Sequence, residues 1–277
     1  MNSIADDIAR RTAALAARYG GAAIPPAGPW SDTIALLLNH RSVRAFLAEP
    51  LPAGTLETLV AAAQSAATSS NMQTFSVVAV TDPARKARLA HVANDQAYIE
   101  QCPLFLVFLA DLSRAQRLAQ AEGVELVNLP YLETFLVAAI DAALAAQNTV
   151  VAAESLGLAT VYIGALRNDA AAVAAELGLP QGAMGVFGLC VGHGGGTWEV
   201  KPRLAQAAVL HRETYRVPDE AALRAAYDAE LAAFARRNET TAYTWTERVK
   251  NRLGRLSSLN GRDRLRGVLA GLGFPLL

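Results

Sequence analysis

The chain has 277 residues, of which 52% are hydrophobic, with 25 acidic and 25 basic residues. This composition predicts an ordered globular protein of one large or two small domains and excludes intrinsic disorder. A formal net charge of zero gives no global electrostatic reason to bind nucleic acid or an anionic membrane.

The cysteines and histidines argue against a disulfide-stabilised protein and against a metal site. Cys102 and Cys190 each lie in or beside an apolar run, so we interpret them as buried core residues of a protein in a reducing compartment. The four histidines lack the spacing of metal ligands, and we predict no metal site. The first 20 residues contain no continuous apolar segment of the kind found in secretory signals, so we expect a cytoplasmic protein.

The N-terminal region predicts a separate helical arm. Ile4–Arg18 has helical periodicity, and paired glycines and prolines follow it. We therefore place a helical arm at residues 1–30 and the main domain at residues 31–277. The second helix, capped by Ser31 or Asp32, carries a basic cluster just beyond its apolar part.

The main domain is predicted to contain a few strands and many helices. A third helix follows Pro52 and ends near Thr68. Four apolar segments predict strands: Phe75–Val80, Leu104–Leu109, Ala159–Ile163 and Gly185–Val191. Further helices are predicted at Arg85–Val92, Tyr131–Leu156, Ala170–Leu177, Glu220–Ala235 and Trp245–Leu256. Because strands and helices do not alternate regularly and no G-x-G-x-x-G follows the first strand, the pattern favours an α+β fold over a Rossmann domain.

The segment Tyr131–Leu156 is the longest predicted helix, and it is apolar almost all round. Such a helix is usually buried, and its alanines permit the close approach of a second helix. The sequence leaves open whether it forms the middle of a monomer core or of a dimer interface.

Two short basic clusters lie far apart in the chain. Arg41 and Arg44 flank Ser42, and Lys201 and Arg203 flank a proline. Arginine forks and a hydroxyl are suited to a phosphate ester because they supply charge-assisted hydrogen bonds. The alternatives are a helix C-terminus, where arginine complements the dipole, and a pair of surface cations on a loop.

Two further segments suggest recognition of a polar heterocycle. Thr68-Ser69-Ser70-Asn71-Met72-Gln73 carries amide side chains that both donate and accept hydrogen bonds, although a solvated loop explains the same composition. Val161–Arg167 ends a strand in Gly-Ala, so its backbone N–H groups can approach a planar ring; an ordinary strand end is the alternative.

The order and the local sequences of these segments resemble those of the nitroreductase superfamily, in particular its oxygen-insensitive NADPH nitroreductase and flavin reductase branch. The resemblance spans about Asp32 to the C-terminus. It is carried by His40-Arg-Ser-Val-Arg44, Ala67–Gln73, Gln96, Ala146-Gln147-Asn148 through Leu158, Tyr162-Ile-Gly-Ala-Leu-Arg-Asn168, Phe187-Gly-Leu-Cys-Val-Gly192 and Lys201-Pro-Arg-Leu204.

The resemblance implies a nitroreductase-like α+β fold with a central, mostly antiparallel sheet flanked by helices. It also implies an intertwined homodimer that binds FMN at the subunit interface and uses NADPH or NADH as electron donor. The implied cofactor-binding residues are His40, Arg41, Ser42, Arg44, Thr68, Ser69, Ser70, Asn71, Gln96, Tyr162, Ile163, Gly164, Ala165, Lys201 and Arg203. Of these, Thr68–Asn71 would come from the partner chain, and Arg167 is the implied contact for the nicotinamide or the substrate.

The implied activity is ping-pong hydride transfer to a small electron-poor acceptor such as a nitroaromatic, a quinone or a free flavin, with no essential side-chain acid or base. Two alternatives stay open: a flavin carrier or redox sensor with little turnover, and a reductive dehalogenase or flavin-modifying enzyme. Residues 1–30 have no counterpart in the resemblance. The family's arginine-bearing loop corresponds here to Asn238–Tyr243, which lacks arginine, so the choice between NADPH and NADH stays open.

Overall fold

The computed structural model describes residues 4–21, 24–239 and 241–277, and within them the chain divides into two compact units. One unit combines the residues up to Arg41 with Thr197–Ser258, and the other combines Ser42–Gly196 with Leu259–Leu277. Each unit is described in turn.

A four-stranded sheet forms the centre of the second unit. Its strands are β1 (Phe75–Val80), β2 (Leu104–Asp111), β3 (Ala159–Ile163) and β4 (Ala183–Gly192), in the spatial order β1-β2-β4-β3. Every neighbouring pair is antiparallel, and a register shift between Phe108 and Leu109 interrupts the pairing of β2 with β4.

Helices cover both faces of this sheet, which is why every residue of β2 is buried. Alternate side chains of a strand point to opposite faces. Phe105 and Val107 pack on one face in a core that includes Leu89, and Leu106 packs on the other in a core that includes Leu59.

The helices of this unit are α3 (Thr55–Gln64), α4 (Pro83–Val92), α5 (Ala97–Gln101), α6 (Ser113–Glu122), α7 (Leu132–Ser155), α8 (Ala170–Leu177) and, in its C-terminal segment Leu259–Leu277, α11 (Leu265–Gly271). Helices α1 (Ile4–Tyr19), α2 (Asp32–Leu38), α9 (Glu220–Asn238) and α10 (Trp245–Leu253) belong to the other unit. Asp169 caps α8 by accepting a hydrogen bond from the Ala172 N–H at 2.9 Å.

The 24-residue helix α7 supplies the largest helical surface against the sheet. Its small residues Ala142, Ala145 and Ala146 are fully buried, which lets the helix approach α3 and β2 closely. By length and composition α7 is also apolar enough to cross a membrane, a test that core helices of soluble proteins pass as well.

The first unit consists of α1 (Ile4–Tyr19), α2 (Asp32–Leu38), α9 (Glu220–Asn238) and α10 (Trp245–Leu253) with their connecting segments. Ser31 caps α2, and a capping box of Thr244 and Glu247 begins α10. The Asp228 carboxylate ties α9 to α10 by accepting hydrogen bonds from the Thr246 N–H (2.9 Å) and hydroxyl (2.5 Å).

The α+β expectation is confirmed, and the four predicted strands are present with small changes in their ends. Cys102 and Cys190 are fully buried free thiols, as their apolar surroundings predict. The sequence interpretation missed α5, α6 and α11, and α10 ends at Leu253 rather than Leu256. The proposed boundary near residue 30 stays a prediction; residues 1–3 and 22–23 of that arm lie outside the described residues.

Candidate functional site

The chain leaves α2 at Leu38 and enters an extended segment that carries the first basic cluster. Ser42 forms a parallel bridge with Thr160 at the start of β3, and the Val43 N–H donates to the Thr160 carbonyl at 3.0 Å. This pairing fixes the backbone of Ser42 and Arg44 against the edge of the sheet. The interpretation of the cluster as an ordinary helix C-terminus is therefore wrong for these two residues.

Arg44 and Gln96 are connected through a tyrosine that the sequence interpretation did not single out. The Tyr98 hydroxyl donates to Gln96 Oε1 at 2.7 Å, and the Arg44 guanidinium lies beside the same hydroxyl. Burial raises the pKa of Tyr98, and the positive charge of Arg44 opposes that shift without cancelling it. Tyr98 therefore stays protonated and holds Gln96 in place.

In the other unit, the segments around Arg41 and Lys201 meet at a buried arginine. Arg18, in the last turn of α1, donates to the His40 carbonyl at 2.7 Å and to the Lys201 carbonyl at 2.9 Å. The Arg41 guanidinium donates to the Trp198 carbonyl at 3.3 Å, which brings it to the same extended segment. Two segments about 160 residues apart in sequence are thus both held by hydrogen bonds from Arg18 to their backbone carbonyls.

Lys201 and Arg203, the two cations of the second basic cluster, have different partners. Arg203 donates through Nη1 to the Lys201 carbonyl at 3.1 Å, and the Lys201 ammonium contacts Glu239 Oε1 at 2.7 Å and the Tyr243 hydroxyl at 2.8 Å. Burial would raise the pKa of Glu239, but the contacts with Lys201 and Tyr243 outweigh it and lower the pKa. Lys201 is therefore held by an ion pair with a carboxylate that stays ionised.

The Thr68–Gln73 segment is organised by one buried carboxylate. Asp141 on α7 accepts hydrogen bonds from the Thr68 hydroxyl (2.6 Å), the Ser69 N–H (3.2 Å) and both the N–H and the hydroxyl of Thr74 (3.0 and 2.9 Å). Burial would raise the pKa of Asp141, and these donors outweigh it and lower the pKa. The carboxylate thereby fixes both ends of the segment.

Within this segment three residues without a glycine's freedom adopt left-handed backbone angles. Ser70, Asn71 and Gln73 have φ values of 49°, 54° and 53°. Such conformations cost free energy and persist where the surrounding structure imposes them. Ser69, Ser70 and Asn71 are also exposed. A strained turn with exposed polar groups is typical of a ligand-binding loop.

The segment Tyr162–Ala165 lies where β3 ends. The Tyr162 ring packs edge to face on Phe187 with ring centroids 5.1 Å apart, and Ile163 is buried. Its neighbour on β4, Gly188, has no room for a side chain, because a Cβ there would lie 2.3 Å from the Phe105 ring. The Arg167 guanidinium folds back to donate to the Val186 carbonyl and covers Gly164.

The Asn238–Tyr243 loop borders an open pocket of about 1000 Å³ whose lining includes Glu239, Tyr243, Arg248 and Arg252. The Arg248 guanidinium stacks 3.6 Å from the centre of the Tyr243 ring. Thr240 lies outside the described residues. Although the loop itself contains no arginine, Arg248 of α10 therefore lies beside it.

The structure therefore groups the predicted residues by unit. The sheet-containing unit holds Ser42, Arg44, Thr68, Ser69, Ser70, Asn71, Gln96, Tyr162, Ile163, Gly164, Ala165 and Arg167. The other unit holds His40, Arg41, Lys201 and Arg203. Their roles toward a flavin stay predictions. Arg18, Tyr98 and Asp141 were not singled out, because each acts through contacts that only the folded chain creates.

Two family models and several named relatives match the sequence of this chain. Residues 37–193 match the model of the nitroreductase family, and residues 201–277 match the model of its C-terminal domain. The chain is 41% identical over 226 residues to a protein of Bacillus subtilis named FMN reductase (NADPH), covering 80% of this chain and 91% of the relative. It is 36% identical over 225 residues to the oxygen-insensitive NADPH nitroreductase of Salmonella typhimurium, with the same coverage.

Solved structures agree with these sequence matches. The NfrA1 nitroreductase of B. subtilis superimposes with a TM-score of 0.82 at 39% identity, covering 87% of this chain and 98% of that one. The NADPH:FMN oxidoreductase of Vibrio harveyi, solved in complex with NAD⁺, gives a TM-score of 0.78 at 36% identity, covering 88% and 99%. On the family models and these relatives together, the chain belongs to the nitroreductase family.

Proposed function

We propose that the protein is an FMN-dependent NAD(P)H oxidoreductase that reduces small electron-poor acceptors such as nitroaromatics, quinones or free flavins. Relatives that share more than a third of their residues with this chain are named FMN reductase (NADPH), NADPH-flavin oxidoreductase and oxygen-insensitive NADPH nitroreductase. FMN, when bound, would supply the redox chemistry that carries a hydride from the nicotinamide to the acceptor.

Unlike Lys201, which pairs with Glu239, the arginines of the two basic clusters are suited to the phosphate of FMN because their charges are not neutralised by a carboxylate. Within the described ranges, no carboxylate forms an ion pair with Arg41, Arg44 or Arg203, and all three side chains are exposed. Guanidinium groups without an anion are ready to take a phosphate by charge-assisted hydrogen bonds. This is the observation that carries the proposal.

Each predicted residue has a role in this proposal. His40, Arg41, Ser42, Arg44, Lys201 and Arg203 hold the phosphate and the pyrimidine side of the ring. Gln96 reaches a polar group of the flavin, and the backbone of Tyr162–Ala165 faces its redox edge. Arg167 contacts the nicotinamide or the substrate. The chain orients both reactants and supplies positive charge, and no side chain is assigned as acid or base.

We further propose that the protein acts as a homodimer in the cytoplasm. Four large apolar side chains spaced four residues apart on α7 are between 43% and 56% exposed: Leu132, Leu136, Ile140 and Leu144. A continuous stripe of this kind on the longest helix indicates an interface, because soluble proteins rarely leave such stripes uncovered. A second copy of the chain would cover it, and Thr68–Asn71 would then face the partner's flavin.

The donor is NADPH or NADH, with NADPH favoured by the relatives' names and by the two arginines, Arg248 and Arg252, in the pocket beside Tyr243. Arg248 already pairs with Glu239 at 3.7 Å, whereas within the described residues no carboxylate forms an ion pair with Arg252, so the charge of Arg252 is suited to the additional phosphate of NADPH.

Anaerobic mixing tests the proposal directly. Yellow purified protein is mixed with NADPH or with NADH, and the flavin absorbance is followed before and after a nitroaromatic is added. We expect bleaching by the nicotinamide and recovery with the acceptor, since the two half-reactions are separate. Flavin that stays oxidised after mixing would instead identify a carrier, and colourless protein that takes up no FMN would refute the cofactor assignment.

A further inference from the structure

Arg18 has an unusual position for a charged residue. It lies in the last turn of α1, before the region that matches the family models, and only 6% of its surface is exposed. Burial of a charge costs free energy unless hydrogen bonds compensate for it, so an apolar residue would serve simple helix packing at lower cost.

Its guanidinium connects two segments of backbone. Nη2 donates to the Leu38 and His40 carbonyls, both at 2.7 Å, and Nε donates to the Leu38 carbonyl at 3.2 Å. Nη1 points to the other segment and donates to the Lys201 carbonyl at 2.9 Å. The planar fork of an arginine can span two such directions at once, whereas an ammonium is a single point.

The main chain of Arg18 takes part in the same arrangement. Its carbonyl accepts a hydrogen bond from the Arg203 N–H at 2.8 Å. Residue 18 therefore contacts the backbone immediately before Arg41, at Lys201 and at Arg203. These three residues are cations that we assign to the FMN phosphate.

We propose that Arg18 is a positioning residue for FMN binding, through which the N-terminal helix α1 sets the spacing between the His40–Arg41 and Lys201–Arg203 segments. This inference rests on the proposed function. Arg18 does not touch the phosphate; it holds the backbone from which the phosphate-binding cations extend. Charge-assisted hydrogen bonds depend steeply on geometry, so a small shift of one segment weakens the binding of the FMN phosphate.

The test compares FMN with riboflavin, which lacks the phosphate. Full-length apoprotein of the wild type, Arg18→Met and Arg18→Lys is titrated with each flavin, and quenching of flavin fluorescence gives the two dissociation constants. We expect Arg18→Met to lose roughly tenfold or more in FMN affinity, the equivalent of one charged hydrogen bond. Arg18→Lys should fall between it and the wild type. Riboflavin affinity should fall less than FMN affinity in both variants, so that the ratio of FMN to riboflavin affinity decreases.

The matched control is Arg10→Gln, which removes an arginine with an exposed side chain from the same helix and should leave both constants unchanged. The melting temperature of each apoprotein separates folding from positioning. If Arg18 has only a structural role, its variants will melt earlier and keep the wild-type ratio of FMN to riboflavin affinity, which would overturn the inference. Should Arg18→Met fail to fold, a wild-type ratio in Arg18→Lys would overturn it equally.

The wild-type titration separates this inference from the proposed function. Equal wild-type affinity for FMN and riboflavin would refute the phosphate assignment itself and the inference with it. A wild-type preference for FMN that persists in the Arg18 variants would refute the inference alone.

Discussion

Arg44 and Arg203 are the side chains whose removal tests the phosphate assignment most simply. Arg44→Ala and Arg203→Ala should each weaken FMN binding by about 1–3 kcal/mol, because each removes a charge-assisted hydrogen bond. Equilibrium titration of the apoprotein with FMN measures this loss. Arg266→Ala, which removes the same charge from an exposed position on α11, should bind FMN like the wild type. Unchanged affinity in both test variants would contradict the assignment.

Asp141 gives the protein a specific dependence of stability on pH. Its folded pKa lies below the ordinary value, so its contribution to stability is fully present above the unfolded pKa of about 3.9 and is lost as pH falls through the folded value. Asp141→Asn should lower the free energy of unfolding at neutral pH by about 1–3 kcal/mol, since an amide cannot accept all four donors.

Urea unfolding of the wild type and Asp141→Asn from pH 7 to pH 3 checks this expectation. The difference between the two proteins should shrink at the acid end of the series, because below about pH 3.9 the carboxylate of the unfolded wild type takes up a proton that the folded protein resists. A difference that is constant over the whole range would show that the ionised carboxylate does not stabilise the Thr68–Thr74 turn.

The residues that sequence analysis could not find share a physical reason. Arg18 is one of several arginines in an alanine-rich helix, and only the tertiary fold brings the His40 and Lys201 carbonyls to it. Tyr98 stands two positions from Gln96 in a short helix that has no clear periodicity. By contrast, the Arg-Ser-Val-Arg and Lys-Pro-Arg clusters are local in sequence and could be recognised directly.

At the scale of elements, β4 has a steric requirement at Gly188. Gly188→Ala should destabilise the protein by about 1–3 kcal/mol, because the new methyl group would overlap the Phe105 ring within the sheet. Urea unfolding measures the change. Gly267→Ala is the matched control: nothing lies within 4 Å of a Cβ there, and alanine in helix α11 should be neutral or stabilising. Equal stability of the two variants would contradict the close packing of β4.

The strands were predictable because each forms a short apolar run. Leu104–Asp111 is buried along its whole length, and the edge strands Ala159–Ile163 and Phe75–Val80 are partly buried. The helix α6 was not, because Ser113–Glu122 is polar and leaves its Leu118 exposed, so no apolar face marks it. Helix ends also escaped prediction: α10 stops at Leu253, just before Gly254, although the apolar pattern continues to Leu256.

At the scale of the whole molecule, the apolar stripe on α7 predicts self-association. Ile140→Glu places a charge at the middle of the stripe and should shift the protein toward monomer, because a carboxylate is costly to bury in an apolar interface. Sedimentation velocity measures the change. Leu118→Glu alters a comparably exposed leucine on α6 and should leave the dimer intact. A wild-type protein that sediments as a monomer would rule out the proposed interface.

We infer that one phosphate is recognised by cations from two segments far apart in the chain, Arg41–Arg44 and Lys201–Arg203. Titration of full-length apoprotein with FMN and with riboflavin tests it most directly, since the two ligands differ only in that phosphate. We predict that FMN binds much more tightly than riboflavin and that added salt reduces the difference, as expected for an ionic contact. Equal affinity for the two flavins, or binding of neither, would contradict the claim.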